Sequence, residues 1–117
     1  MGISTIYGSF AYKYKTHFVV SSYSFVGKYY MKEIIKIQNK LGIHARPAAE
    51  FVKLASKFKS KIYISKNGRK VNGKSIMGVM TLAAEYRSEV EITAEGPDAA
   101  EALKALVELI NNKFYED

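Results

Sequence analysis

The dipeptide Asn67-Gly68 lies between two short segments with strand character, KIYIS before it and RKVN after it. Asn-Gly is a preferred pair for the two-residue turn of a β-hairpin, because both turn positions require a positive φ angle. In KIYIS, polar residues alternate with Ile62 and Ile64, so one face of this strand is apolar and the other is polar. The sequence therefore predicts an antiparallel sheet that buries one face and exposes the other.

Residue patterns on both sides of this hairpin predict the other elements of one domain. A short strand at 34–37 and the alternating segment EVEITA supply two more strands. Apolar residues at helical spacing predict a helix around Pro47, a second in SIMGVMTLAAEY and a third after the turn GPD. The expected buried faces are Ala48, Phe51, Val52, Ala55 and Phe58 in the first helix, Val79, Leu82, Ala83 and Tyr86 in the second, and Ala99, Leu103, Leu106 and Ile110 in the third. The order βαββαβα predicts an α+β fold, an open-faced two-layer sandwich with three helices on one face of a four-stranded antiparallel sheet.

The first 30 residues differ in composition from the rest of the chain. They contain three of the 18 basic residues, none of the 11 acidic residues and six of the nine tyrosines. The chain has room for one core, so we expect residues 31–117 to form the domain and residues 1–30 to be an extension upstream of a natural start at Met31. A basic aromatic tail for single-stranded nucleic acid is a less favoured alternative, and the alternation of Phe10, Tyr12 and Tyr14 leaves a strand open.

Composition also argues against several classes of function. The chain has no cysteine, which excludes disulfides, thiolate metal sites and a cysteine nucleophile and suits the reducing cytoplasm. His17 and His44 are far apart in sequence and neither lies among acidic residues, so we expect neither a metal nor another cofactor. No apolar run reaches the about 18 residues of a membrane span. The basic residues of the domain are scattered, which argues against a nucleic-acid partner.

The segment GIHARPA at residues 42–48 contains the strongest candidate for chemistry. His44 precedes the first predicted helix, whose free amides and dipole favour an anion. A histidine titrates near neutral pH, so one ring nitrogen is free to attack phosphorus, and the guanidinium of Arg46 can bind phosphoryl oxygens with two donors. The residues alone leave an equal alternative, in which His44 only caps the helix and Arg46 is a solvated surface charge.

The longer segment NKLGIHARPAAEFV resembles the phosphorylation-site motif of the HPr family, the phosphocarriers of the bacterial phosphotransferase system. The resemblance continues through the hairpin, NGKSIMGVMTLAA and AEGPDAAEAL, and covers residues 31–117. It implies that His44 carries the phosphoryl group on Nδ1, that Arg46 assists and that Pro47 starts the helix. It also implies enzyme I as phosphoryl donor and EIIA-type domains as acceptors during sugar uptake, which makes the protein a carrier and not an independent enzyme.

Ser75 is a second candidate site, since we expect it to cap the second helix. In Gram-positive relatives the matching serine is phosphorylated by a dedicated kinase, so the resemblance implies regulation at Ser75, with HPr kinase/phosphorylase and a catabolite-control regulator as further partners. NKLGIHARPA and NNKFYED are also similar to the nitrogen-related branch of the family, in which that kinase is not the usual partner. The second reading of the chain is therefore a regulatory HPr-like binding module, gated by phosphorylation at His44 or Ser75.

The second predicted helix has more apolar residues than one buried stripe needs. Ile76, Met77 and Met80 lie outside its expected core face and predict a docking patch for partners, to which we also assign Pro47. Methionine suits a surface that accepts partners of different shapes, because its side chain is flexible and polarisable. The alternative is a helix buried on all sides.

Overall fold

The computed structural model describes residues 17–23 and 29–116. Five strands, three α-helices and a 3-10 turn follow one another along this part of the chain. They are β1 (His17–Tyr23), β2 (Tyr29–Lys36), α1 (Ala45–Ala55), β3 (Lys61–Lys66), β4 (Arg69–Asn72), α2 (Ile76–Met80), β5 (Glu89–Gly96), α3 (Ala99–Asn111) and the 3-10 turn (Lys113–Tyr115). Within the described residues, no helix is long and apolar enough to cross a membrane.

The strands form one antiparallel sheet in the order β1-β2-β5-β3-β4. The predicted hairpin joins β3 to β4, and its two turn residues have the expected positive φ angles, 50° at Asn67 and 85° at Gly68. At the centre of the sheet Ile35 lies opposite Val90. The four strands β2 to β5 and the three helices confirm the predicted α+β sandwich, and β1 adds a fifth strand to its sheet.

The core lies between one face of the sheet and the helices. Helix α3 packs on β2 and β5, and α1 contacts both other helices. Buried and less buried residues alternate along β3 as predicted. Ile62 and Ile64 are fully buried, whereas Tyr63 between them is half-buried on the other face. The largest apolar side chains in the core include Phe51, Ile37, Ile62, Ile64, Ile92, Leu103, Leu106 and Ile110.

The second helix is shorter than the sequence predicts, because α2 ends at Met80. After it the amide of Ala83 donates to the carbonyl of Met80, a tight three-residue turn, and Ala83 has a φ of 50°. The chain therefore leaves the helical register. Leu82 is buried as expected, but Ala83 and Tyr86 are exposed and Ala84 is buried instead. The prediction that Ala83 and Tyr86 belong to the core face is wrong.

Strand β1 comes from the segment that we expected to lie outside the domain. It pairs with the free edge of β2, with His17 opposite Ile34 and Val19 opposite Lys32, and the register shifts before Ser22. The alternating aromatic residues at 10–14 lie outside the described residues. That residues 1–30 are an extension beyond the functional domain stays a prediction.

Candidate functional site

His44 occupies the N-cap position of α1, with an extended backbone at φ −106° and ψ −166°. Its side chain makes no capping hydrogen bond to the helix, and its side chain is 40% exposed. His44 therefore takes the cap position through its backbone and not through its side chain, which leaves the ring free of the helix. The first turn of α1 contains no acidic residue, so the positive end of the helix faces the imidazole without a competing charge from that turn.

The loop before His44 is held by a close backbone contact. Gly42 has a φ of +71°, and a Cβ at this position would lie 2.5 Å from the carbonyl oxygen of Ala84. The same carbonyl accepts a hydrogen bond from the amide of Ile43 at 2.8 Å. Only glycine allows this approach, and the contact fixes where α1 begins. Pro47 is buried in the first turn, where the missing amide proton is not needed.

A carboxylate that the sequence did not reveal lies against the imidazole. The Nε2 atom of His44 is 3.3 Å from Oε1 and 3.2 Å from Oε2 of Glu116. The side-chain amide of Asn39 donates to Oε1 of Glu116 at 2.7 Å and also contacts the carbonyl oxygen of Gly42 at 2.7 Å. Asn39 is fully buried and Glu116 is 9% exposed, so the acid is held in a defined orientation.

The electrostatic environment keeps Glu116 ionised. Burial is the largest single effect and by itself would raise the pKa of this carboxyl group. The hydrogen bonds from Asn39 and His44 and the charges of His44 and Arg46 together outweigh burial, so the pKa of Glu116 is lowered from its ordinary value of 4.5. Arg46 is exposed in the first turn of α1, and its positive charge, like that of His44, lowers the pKa of Glu116.

The 3-10 turn after α3 delivers Glu116 to the site. Lys113, Phe114 and Tyr115 all have positive φ angles, between 56° and 58°, and the side chain of Phe114 is buried. The turn contacts α1 and so brings the chain back toward His44. No local pattern marks this geometry in NNKFYED, since it depends on packing between residues that are far apart in sequence.

The second candidate site lies at the start of α2. The Oγ atom of Ser75 accepts a hydrogen bond from the amide of Gly78 at 3.1 Å, which confirms the predicted cap. Ile76 is 43%, Met77 72% and Met80 37% exposed, whereas Val79 is fully buried. The alternative of a helix buried on all sides is wrong. Since Pro47 is buried, the exposed apolar surface here comes from α2.

The part of the chain that the structure describes contains no group of three His, Cys, Asp or Glu side chains that could hold a metal ion. The candidate site combines an imidazole with a carboxylate at Nε2 and a helix N-terminus nearby. Such an arrangement suits transfer of an anionic group to a ring nitrogen.

Comparison with known proteins agrees with this chemistry. Residues 31–112 match the PTS-HPr family, described as "PTS HPr component phosphorylation site". "Phosphocarrier protein HPr" of Neisseria meningitidis serogroup A is 50% identical over 86 residues, which cover 74% of this chain and 97% of the relative. "HPr-like protein Crh" of Halalkalibacterium halodurans is 46% identical over 79 residues, which cover 68% of this chain and 94% of that protein. The crystal structure of HPr-C-His from Thermoanaerobacter tengcongensis is 53% identical, with a TM-score of 0.71 over 74% of this chain and 97% of that one.

These similarities span the histidine motif, the hairpin and the helices, and so confirm the resemblance found in the sequence. Relatives named phosphocarrier protein HPr occur in several organisms, including Treponema pallidum at 49% and Cupriavidus necator at 52% identity. They favour a phosphocarrier over a Crh-like regulatory module. The chain therefore belongs to the HPr family, the phosphocarriers of the phosphotransferase system.

Proposed function

We propose that His44 is the phosphoryl acceptor of this carrier, taking the group from enzyme I and passing it to EIIA-type domains during sugar uptake. The observation that supports this most directly is the position of His44 at the start of α1 with its imidazole 40% exposed and not bonded to the helix. A partner can reach the ring, and the helix terminus stabilises the charge that arrives.

The transfer step uses the Nδ1 atom of His44. Its lone pair forms the new N–P bond while the bond between phosphorus and the donor enzyme breaks, and that electron pair returns to the donor. Onward transfer reverses the step, and the N–P electron pair returns to Nδ1. The protein is a stoichiometric reactant in both steps, so turnover needs its partner enzymes, and we place it with them in the cytoplasm.

Arg46 is the second residue that we assign to the transfer. Its exposed guanidinium lies in the first turn of α1, two residues after His44. A planar fork of N–H donors matches the geometry of phosphoryl oxygens and stabilises their charge during transfer in both directions. An Arg46→Ala chain that transfers phosphate at an unchanged rate would contradict this role.

The test is incubation with phosphoenolpyruvate and enzyme I, followed by measurement of acid-labile phosphate on the chain. Replacing His44 by Ala should abolish the label and leave the circular dichroism spectrum unchanged. The other histidine gives the matched control, since His17→Ala should accept phosphate as well as the wild type. Label that persists in the His44→Ala chain would overturn the assignment.

A second proposal concerns regulation at Ser75, and it is supported by the position of this serine next to the exposed residues Ile76 and Met77. Phosphorylation by HPr kinase/phosphorylase would add a charge of about −1.5 to −2 at the rim of this apolar surface. That charge would oppose docking of transfer partners and offer a new contact to a catabolite-control regulator. Incubation with the kinase and ATP should label the wild type and the Ser88→Ala control but not Ser75→Ala. Label that remains in Ser75→Ala would contradict the proposal.

A further inference from the structure

The Glu116 carboxylate approaches only one of the two imidazole nitrogens. Both of its oxygens lie 3.2 to 3.3 Å from Nε2 of His44, the nitrogen that does not take the phosphoryl group in the proposed reaction. A carboxylate oxygen accepts hydrogen bonds and donates none when it is ionised. The proton of the neutral imidazole is therefore held at Nε2.

We propose that Glu116, oriented by Asn39, is a positioning residue that fixes the Nε2–H tautomer of His44 and so keeps the Nδ1 lone pair available to phosphorus. The inference rests on the proposed function for its consequence in transfer, but the tautomer itself is a property of the free protein. A carboxylate that holds a reactive histidine in one tautomer is a general device of nucleophilic and metal sites.

Asn39 gives the carboxylate its orientation. Its side-chain nitrogen contacts Oε1 of Glu116 and the carbonyl oxygen of Gly42, each at 2.7 Å, which ties the loop before His44 to the end of the 3-10 turn. Asn39 is fully buried, so water does not compete for these bonds. The acid is thus bonded on one side to a buried amide and on the other to the reactive ring.

The same contact stabilises the phosphorylated state. When the N–P bond forms at Nδ1 and the proton stays on Nε2, the ring becomes positively charged. The Glu116 carboxylate lies beside that charge, at low exposure, where an opposite charge is stabilising. No proton has to move in either direction of transfer, because Nε2 keeps its proton throughout.

The matched variants are Glu116→Gln and Glu108→Gln. The amide of a glutamine at 116 can present N–H to Nε2 and would then favour a proton on Nδ1, whereas Glu108 is an exposed residue of α3 and serves as the control. Imidazole ¹⁵N chemical shifts of the neutral ring report which nitrogen carries the proton. We expect Nε2–H in the wild type and the control, and a shift toward Nδ1–H in Glu116→Gln.

Phosphotransfer from enzyme I supplies the second measurement. Glu116→Gln should lower kcat about tenfold with an unchanged KM for the carrier, and Asn39→Ala should have a smaller effect in the same direction. A wild-type tautomer and kcat in folded Glu116→Gln would overturn the proposal. So would a raised KM at unchanged kcat, since that result would assign Glu116 to docking. If wild-type His44 accepts no phosphate, the proposed function fails, while the ¹⁵N shifts still decide the role of Glu116.

Discussion

At the scale of single residues, two glycines with left-handed backbones differ in what surrounds them. Gly42 has a φ of +71°, and a Cβ there would lie 2.5 Å from the Ala84 carbonyl oxygen. Gly68 in the hairpin has a φ of +85°, but no atom lies within 4 Å of the place where its Cβ would be. The first position is constrained by space and conformation, and the second by conformation alone.

Replacing Gly42 by Ala should therefore lower the free energy of unfolding by about 2 to 4 kcal/mol, because the backbone must move away from Ala84 as well as tolerate the strained φ. Gly68→Ala is the matched control and should cost about 1 kcal/mol, the strain of a left-handed residue. Urea unfolding of both variants measures the difference. Equal losses would show that the contact with Ala84 relaxes easily.

Some residues of the candidate sites could be predicted from the sequence, and others could not. His44 and Ser75 could be placed from the sequence because each is the first residue before a helix, and a helix start has a local pattern. Asn39 and Glu116 could not, since their hydrogen bond joins positions 77 residues apart and no spacing rule connects them. The position of His44 before a helix could thus be predicted from the sequence, but the contact of its ring with Glu116 could not.

At the scale of elements, Asp98 fastens the start of α3 to the turn after α1. Its carboxylate accepts from the amides of Lys59 and Ser60, each at 2.9 Å, and from the Ser60 hydroxyl. Burial opposes ionisation of this group most strongly, but the hydrogen bonds together outweigh it and lower the pKa of Asp98 from its ordinary value of 3.8. The ionised form thus holds two elements together.

The sign of the pH dependence follows from this lowered pKa. A carboxyl group with a lower pKa in the folded state stabilises the fold above its unfolded pKa, and the contribution is lost as pH falls through the folded value. The pKa values of Glu116 and Asp98 are both lowered from their ordinary values of 4.5 and 3.8, so the free energy of unfolding should decline as pH falls below these ordinary values and the two carboxylates take up protons. Urea unfolding from pH 7 to pH 3 should show a shallower decline in Asp98→Asn. If the stability of Asp98→Asn falls with pH as steeply as that of the wild type, the ionised Asp98 does not stabilise the fold.

Helix α2 has a buried and an exposed side that should respond differently to substitution. Met77 is 72% exposed, so Met77→Asp should leave the Tm nearly unchanged, because water solvates the new charge in the free protein. The same change should raise the KM for the carrier in phosphotransfer, because the charge is buried without a partner in the complex. Val79 is fully buried, so Val79→Ala should cost about 2 kcal/mol of stability with an unchanged KM in the folded protein. If Met77→Asp instead lowers the Tm strongly and leaves the KM of the folded fraction unchanged, Met77 belongs to the core.

The length of this helix shows why element boundaries were harder to predict than element order. Apolar residues recur at helical spacing in SIMGVMTLAAEY, and this pattern alone predicts a helix of about three turns even though Gly78 is a poor helix former. In the structure Thr81 and Leu82 close the end of α2 with three-residue hydrogen bonds, and the carbonyl of Ala84 turns toward Ile43 instead. A tertiary contact with the loop before His44 therefore accompanies the end of the helix, and the local pattern does not reveal this contact.

At the scale of the whole molecule, β1 lies at one edge of the sheet beside β2, and the residues of the candidate site lie in loops and helices of residues 31–116. A chain that begins at Met31 should accept phosphate at the wild-type rate and lose at most about 5 °C in Tm, since it keeps every core residue among those that the structure describes. Calorimetry measures the change in Tm, and the phosphoenolpyruvate assay measures the rate of phosphate acceptance. A large loss of stability would show that the aromatic extension is part of the folded unit.

The bond between Asn39 and Glu116 also has a kinetic consequence for how the site is made. A contact across 77 residues closes a long loop, and long-range contacts form after the local ones because their closure entropy must first be compensated. During synthesis, α1 and the His44 loop leave the ribosome well before residue 116 does. A nascent domain can therefore present His44 at its helix start before Glu116 reaches the ring, and the contact at Nε2 forms only after the 3-10 turn has packed against α1.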